Sequence, residues 1–143
     1  MSQPELSYYP AVEQAPDEVS DIEILKFIED ENIDWESINE LKEIGNITDE
    51  LIANWFNVSL KTLRTYRAKQ KDLNQNFKER VLLILVLLKR GLEVFGTPED
   101  FRTWLHSPNF LLNQRTPLSY LDTITGIRFI NSRLIAMEYG DNA

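Results

Sequence analysis

The chain has 143 residues, 43% apolar and 27% charged, with a formal net charge of −8, a composition suited to one compact globular domain or two small units sharing a core. It contains no cysteine, which excludes disulfide frameworks, thiolate metal sites and cysteine nucleophiles. The longest apolar run, Val81 to Leu88, is far shorter than the ~20 residues of a membrane-spanning helix. The opening Met-Ser-Gln-Pro-Glu lacks the basic start and apolar stretch of a signal peptide, so a cytoplasmic protein without a membrane partner is expected.

The charge is unevenly distributed. Residues 1–50 sum to −13, residues 51–90 to +7 and residues 91–143 to −2. Such asymmetry sets a basic face against an acidic appendage. Residues 1–18, with Pro4, Pro10 and Pro16 and few aliphatics, read as a flexible acidic tail. Ser20 can cap a helix that turns Ile24, Phe27 and Ile28 to one side. A further helix, about Trp35 to Ile44, stops at Gly45-Asn46. No strand-like alternation of useful length occurs, and the expected fold class is all-α.

Thr48 caps the next helix, with Asp49 and Glu50 in its first turn, where negative charge complements the helix dipole. Leu51, Ile52, Ala53, Trp55 and Phe56 carry it to Asn57, a residue that tolerates the left-handed conformation. Ser59 then caps a second helix, Leu60 to Lys69, with Leu63 and Tyr66 inward and Lys61, Arg64 and Arg67 outward. This pair of helices is similar to a helix-turn-helix, with Asn57 where glycine is usual. Its second helix offers Ser59, Lys61, Thr62, Arg64, Thr65 and Arg67 as candidate contacts to a DNA major groove and its phosphates.

The following helix, Phe77 to Phe95, is hydrophobic nearly all round and demands burial on every side. Helices before and after it can supply that cover, and a homodimer across a two-fold axis is also expected to contribute. Gly91 and Gly96 have the spacing of a phosphate-binding loop, but Thr97-Pro98 stands where Lys-Ser/Thr is required. Thr97 is instead a cap with Pro98 in the first helical position, and Phe101, Trp104 and Leu105 face inward. Thr116-Pro117 repeats the device. A last helix, about Thr123 to Met137, buries Ile127, Ile130 and Leu134. His106 stands alone with no catalytic constellation around it, and Glu29-Asp30-Glu31 lacks the spaced partners of a metal site. No enzyme activity, cofactor or metal is expected.

From Gly91 onward the motifs become specific. Gly-Leu-Glu-Val-Phe-Gly, Phe101-x-x-Trp104-Leu105, Pro108-Asn109, Thr116-Pro117-Leu118, Leu121-Asp122, Gly126 and Glu138-Tyr139-Gly140 resemble, in order and spacing, the toxin-binding domain of Xre/MbcA/ParS antitoxins. The departures are Asn113-Gln114 before Arg115, where the family often turns on glycine, and a longer, more acidic N-terminal part. The resemblance implies three regions: a tail (1–18), a helical unit that binds promoter DNA (19–76) and a toxin-binding unit (77–143). It implies a RES-domain, NAD-degrading toxin as partner, held inactive when the antitoxin covers its active site. Candidate toxin contacts are Asn109, Arg115, Thr116 and Pro117, in a loop with Arg115 at its tip, and Arg133, Glu138, Tyr139 and Gly140 at the end of the last helix. The two groups are expected to lie close together. The alternative is a DNA-binding regulator whose C-terminal half only dimerises.

Overall fold

A computed structural model describes residues 9–17, 20–29 and 33–140. Among them are eight α-helices and no β-strand: α1 (Pro10–Gln14), α2 (Asp21–Glu29), α3 (Trp35–Gly45), α4 (Asp49–Trp55), α5 (Leu60–Ala68), α6 (Gln75–Phe95), α7 (Pro98–His106) and α8 (Ile124–Glu138). Short 3-10 turns at Phe110–Leu112 and Pro117–Tyr120 connect α7 to α8. The all-α expectation holds.

Helix α6 is the axis of the molecule. Asn74 caps it through the Phe77 N–H, which starts the helix two residues earlier than the apolar pattern indicates. Every residue from Val81 to Leu88 is at most 3% exposed. Helices α1, α2, α3, α7 and α8 all pack on α6. One chain therefore closes around the Val81–Leu88 stretch of this helix.

Part of that cover comes from residues expected to form a tail. Val12 and Ala15 are fully buried and Tyr9 nearly so. A five-residue helix is not stable alone, and α1 is held by contacts from distant parts of the chain. The Glu40 carboxylate, on α3, accepts the otherwise orphaned N–H groups of Ala11 at 3.0 Å and Val12 at 3.1 Å. At the other end, Lys89 Nζ on α6 donates to the carbonyls of Ala15 and Glu13 at 2.8 and 3.1 Å and pairs with Asp17 at 2.8 Å. The expected tail is thus corrected for residues 9–17, while residues 1–8 and 18 lie outside the described residues.

Helices α4 and α5 follow the capping pattern closely. Thr48 accepts from Leu51 N–H, Ser59 accepts from Thr62 N–H, and Asn57 sits in the left-handed region at φ 55°. The Val58 N–H donates to Ala53 O at 3.0 Å, and Ala53 and Leu63 are buried at the contact. The Phe56 ring stacks on Phe77 with centroids 4.2 Å apart, fastening the pair to α6. Arg67 departs from expectation. Its guanidinium turns back to α4 and donates two parallel hydrogen bonds to Asp49, at 3.2 and 2.9 Å, and Lys42 pairs with the same carboxylate. A fork-to-carboxylate pair is stronger than a solvated cation, which is why the side chain leaves the outer face.

Burial pushes the Glu40 carboxyl above the usual carboxylate range, while its bonds to Ala11 and Val12 pull the other way. Glu40→Ala should leave two N–H groups at the start of α1 unsatisfied and cost about 2 kcal/mol. Amide hydrogen exchange should accelerate at Ala11 and Val12 with little change in α8; unchanged protection at α1 would refute the clamp.

Asp49 shows the opposite shift. The Arg67 hydrogen bonds, with Lys42 helping and partial burial opposing, lower its carboxyl from 3.8 to about 2. A depressed folded-state value stabilises the fold above pH 3.8, and the contribution disappears as pH falls towards 2. Asp49→Asn should therefore cost roughly 1 kcal/mol at neutral pH, given the partial solvent exposure of the pair. Denaturant titrations of wild type and variant should converge between pH 4 and pH 2. A difference that persists at pH 2 would mean that charge pairing is not its source.

Candidate functional site

Two surfaces carry the residues singled out by the sequence. The first is the outer face of α5, where Lys61, Arg64 and Thr65 are exposed at helical spacing. Ser59 is exposed but its hydroxyl is engaged at the helix start, capping the Thr62 N–H and donating to Thr62 Oγ1 at 2.8 Å. Thr62 is half-buried, and Arg67 belongs to the α4 contact. The exposed basic face is accordingly narrower than expected, with Lys61 and Arg64 as its leading cations. Lys69, exposed at the C-terminal end of α5, extends it. Lys69 falls outside the three-residue spacing of Lys61, Arg64 and Arg67, so helical periodicity gives it no signal.

The second surface is the C-terminal part, where the candidates fall into two groups. Asn109 and Arg115 close a tight loop: the Asn109 N–H donates to Arg115 O at 3.0 Å, and the Gln114 N–H donates to Asn109 O at 2.9 Å. Arg115 is therefore at the base of the loop, not at its tip. Its guanidinium donates to the Ser119 hydroxyl and carbonyl and lies 4.0 Å over the Tyr120 ring. Thr116 caps the following turn through Ser119 N–H, while Pro117 is buried in the scaffold. The tip consists of Phe110 and Leu111, which are 81% and 51% exposed. Neither was singled out from the sequence, where the only signal was an apolar triplet, Phe110-Leu111-Leu112, between Pro108-Asn109 and Asn113-Gln114 in a segment without helical periodicity.

The remaining candidates end α8. Glu138 pairs with Arg90 of α6 at 2.6 Å, and Arg90 also reaches the Asp17 carbonyl. Tyr139 is 86% exposed, so it does not fold back on the last turn, and Gly140 follows at φ 89°. Arg133, five residues before Glu138, is half-buried. Tyr120 meets α8 at Phe129, with ring centroids 5.4 Å apart, and Phe129 lies ten residues before Tyr139, about 15 Å along the helix.

Two glycines explain how these pieces come together. A Cβ on Gly91 would stand 2.3 Å from the Phe101 ring, and one on Gly126 would stand 1.8 Å from the Tyr120 carbonyl. Only glycine permits α7 to seat Phe101 on α6 and α8 to start against the Tyr120 turn. His106 Nε2 lies 2.7 Å from the Gly45 carbonyl, a structural contact between α7 and the end of α3. Among the described residues no group of three or more His, Cys, Asp or Glu is arranged to hold a metal ion. No described helix is long and apolar enough to cross a membrane.

The segment that holds both groups of C-terminal candidates matches a known family. Residues 90–140 match the family model for the antitoxin Xre/MbcA/ParS C-terminal toxin-binding domain. No curated protein matches the chain. Residues 90–140, about a third of the chain, are thus similar to the toxin-binding domain of the Xre/MbcA/ParS antitoxins.

Proposed function

We propose that the protein is a non-enzymatic, cytoplasmic antitoxin that binds a RES-domain, NAD-degrading toxin and silences it by covering the active site. The observation that carries this reading is Tyr139, 86% exposed at the end of α8 inside the toxin-binding segment. A tyrosine held in water on a rigid helix end is a ready interface anchor, since it brings large area at small entropic cost. Residues 77–143 form the recognition unit. Nothing in this reading requires a second copy of the chain, because α6 is closed within one. Deleting Glu138 to Ala143 should leave a protein that circular dichroism reports as helical but that no longer rescues growth when the toxin is co-expressed. Full protection by the folded truncation would refute occlusion by this end.

The helix-turn-helix reading of α4 and α5, within residues 19–76, adds autoregulation of the operon. It rests on the exposed Lys61 and Arg64. Each phosphate contact contributes a slope of about −0.9 to the dependence of log affinity on log salt. Replacing Lys61 and Arg64 by alanine should therefore flatten that slope by about 2 on the protein's own upstream DNA while leaving toxin rescue intact. Wild-type protein that shifts no upstream DNA, with or without toxin, would remove this role.

A further inference from the structure

We propose that the Asn109–Arg115 loop is a preformed anchor that inserts Phe110, with Leu111 beside it, into an apolar pocket on the toxin. This deepens the antitoxin reading and rests on it. Six large apolar side chains are exposed among the described residues: Ile22, Leu25, Phe110, Leu111, Phe129 and Tyr139. Four of these fall within residues 90–140, the toxin-binding segment, although that segment buries Phe101, Leu105, Leu112, Leu121, Ile127 and Ile130 almost completely. The domain has a core and leaves these side chains out of it.

The loop is built to hold Phe110 outward. Leu112 is its buried foot, 2% exposed, and the Tyr120 hydroxyl donates to the Leu112 carbonyl at 3.1 Å. The Asn109 side chain accepts the Leu111 N–H at 2.9 Å, locking the turn that carries both tip residues. Asn113 and Gln114 then adopt consecutive left-handed conformations, φ 57° and 64°, which bring the chain back to Asn109. A non-glycine pair in that region persists only when its surroundings over-determine it. Arg115, stacked on Tyr120 and bonded to Ser119, completes the frame. An aromatic presented without freedom to collapse loses little entropy on binding, which is the property of an interface hot spot.

The surroundings point to a protein pocket as the occupant. The tip bears no cation, and the one arginine of the loop is committed to Ser119 and Tyr120, so a phosphate backbone has nothing to bind. Continuity with the toxin-binding segment favours the toxin over a second copy of this chain.

The test measures binding of the full-length chain to a purified RES-domain protein from the same organism, by calorimetry, for wild type, Phe110→Ala, Leu111→Ala and the control Leu25→Ala. Phe110→Ala should weaken binding by about 30-fold or more, the hot-spot threshold of ~2 kcal/mol at 1.4 kcal/mol per tenfold. Leu111→Ala should cost several-fold. Leu25→Ala, equally apolar and 59% exposed but outside the segment, should change nothing. Thermal unfolding of Phe110→Ala should match wild type, because the ring is in water. Binding within threefold of wild type overturns the anchor, as does a variant that alters only self-association in light scattering. Failure of the wild-type chain itself to bind the RES protein overturns the antitoxin reading instead.

Discussion

Helix α6 sets the terms for the rest of the molecule. Eight consecutive apolar residues, Val81 to Leu88, present hydrocarbon in every direction around a helix, and burying each such side chain is worth about 1.5–3 kcal/mol. No single partner helix can cover a cylinder. The chain wraps it with five others, drawn from both before and after it in sequence. Segments at opposite ends of the chain thereby share one core, from Tyr9 to Leu134. The short α1, which could not exist alone, is a consequence of this demand: it closes the side that α2, α3, α7 and α8 leave open.

The uneven charge is used the same way. Acidic groups of the N-terminal half are brought onto the basic segment, with Asp17 on Lys89 and Asp49 between Lys42 and Arg67. These pairs are partly exposed and individually modest in energy. Their main effect is positional. They direct Lys89 over the end of α1 and fix α5 against α4, and they remove cations from the outer surface. Lys61 and Arg64 stay exposed on α5.

Which features were legible in the sequence follows from how far apart the cooperating residues are. Thr48, Ser59, Thr97, Thr116 and Thr123 each cap the element they precede by bonding an N–H three residues on. Such local chemistry is readable directly, and so is the 3.6-residue apolar period of α6. The clamp on α1 is not, because Glu40 lies 28 residues from Val12 and Lys89 lies 74 residues from Ala15. Three prolines and few aliphatics make residues 1–18 read as a tail, whereas residues 9–17 are held in place by those distant partners. Arg67 was misread for the same reason, since its partner Asp49 is 18 residues away. Phe110 escaped notice because an exposed aromatic in a turn has no periodicity to betray it.

The separation of the two C-terminal surfaces has a mechanical consequence. Tyr139 sits at the end of α8 and depends on the anchoring of that end, where Glu138 meets Arg90 and Arg90 meets the Asp17 carbonyl. Phe110 depends on a different frame, made of Leu112, Arg115 and Tyr120. The two frames share no side chain, and Phe129, where the second touches α8, is about 15 Å from Tyr139. Groups that far apart with no common partner contribute almost independently. On the proposed reading these side chains are two footholds joined by one helix, α8, which Ile127, Ile130 and Leu134, all at most 1% exposed, pin along its length. The rigidity of the core is thus handed directly to the surface, and the helix whose burial organises the fold also fixes the distance between the side chains that face outward.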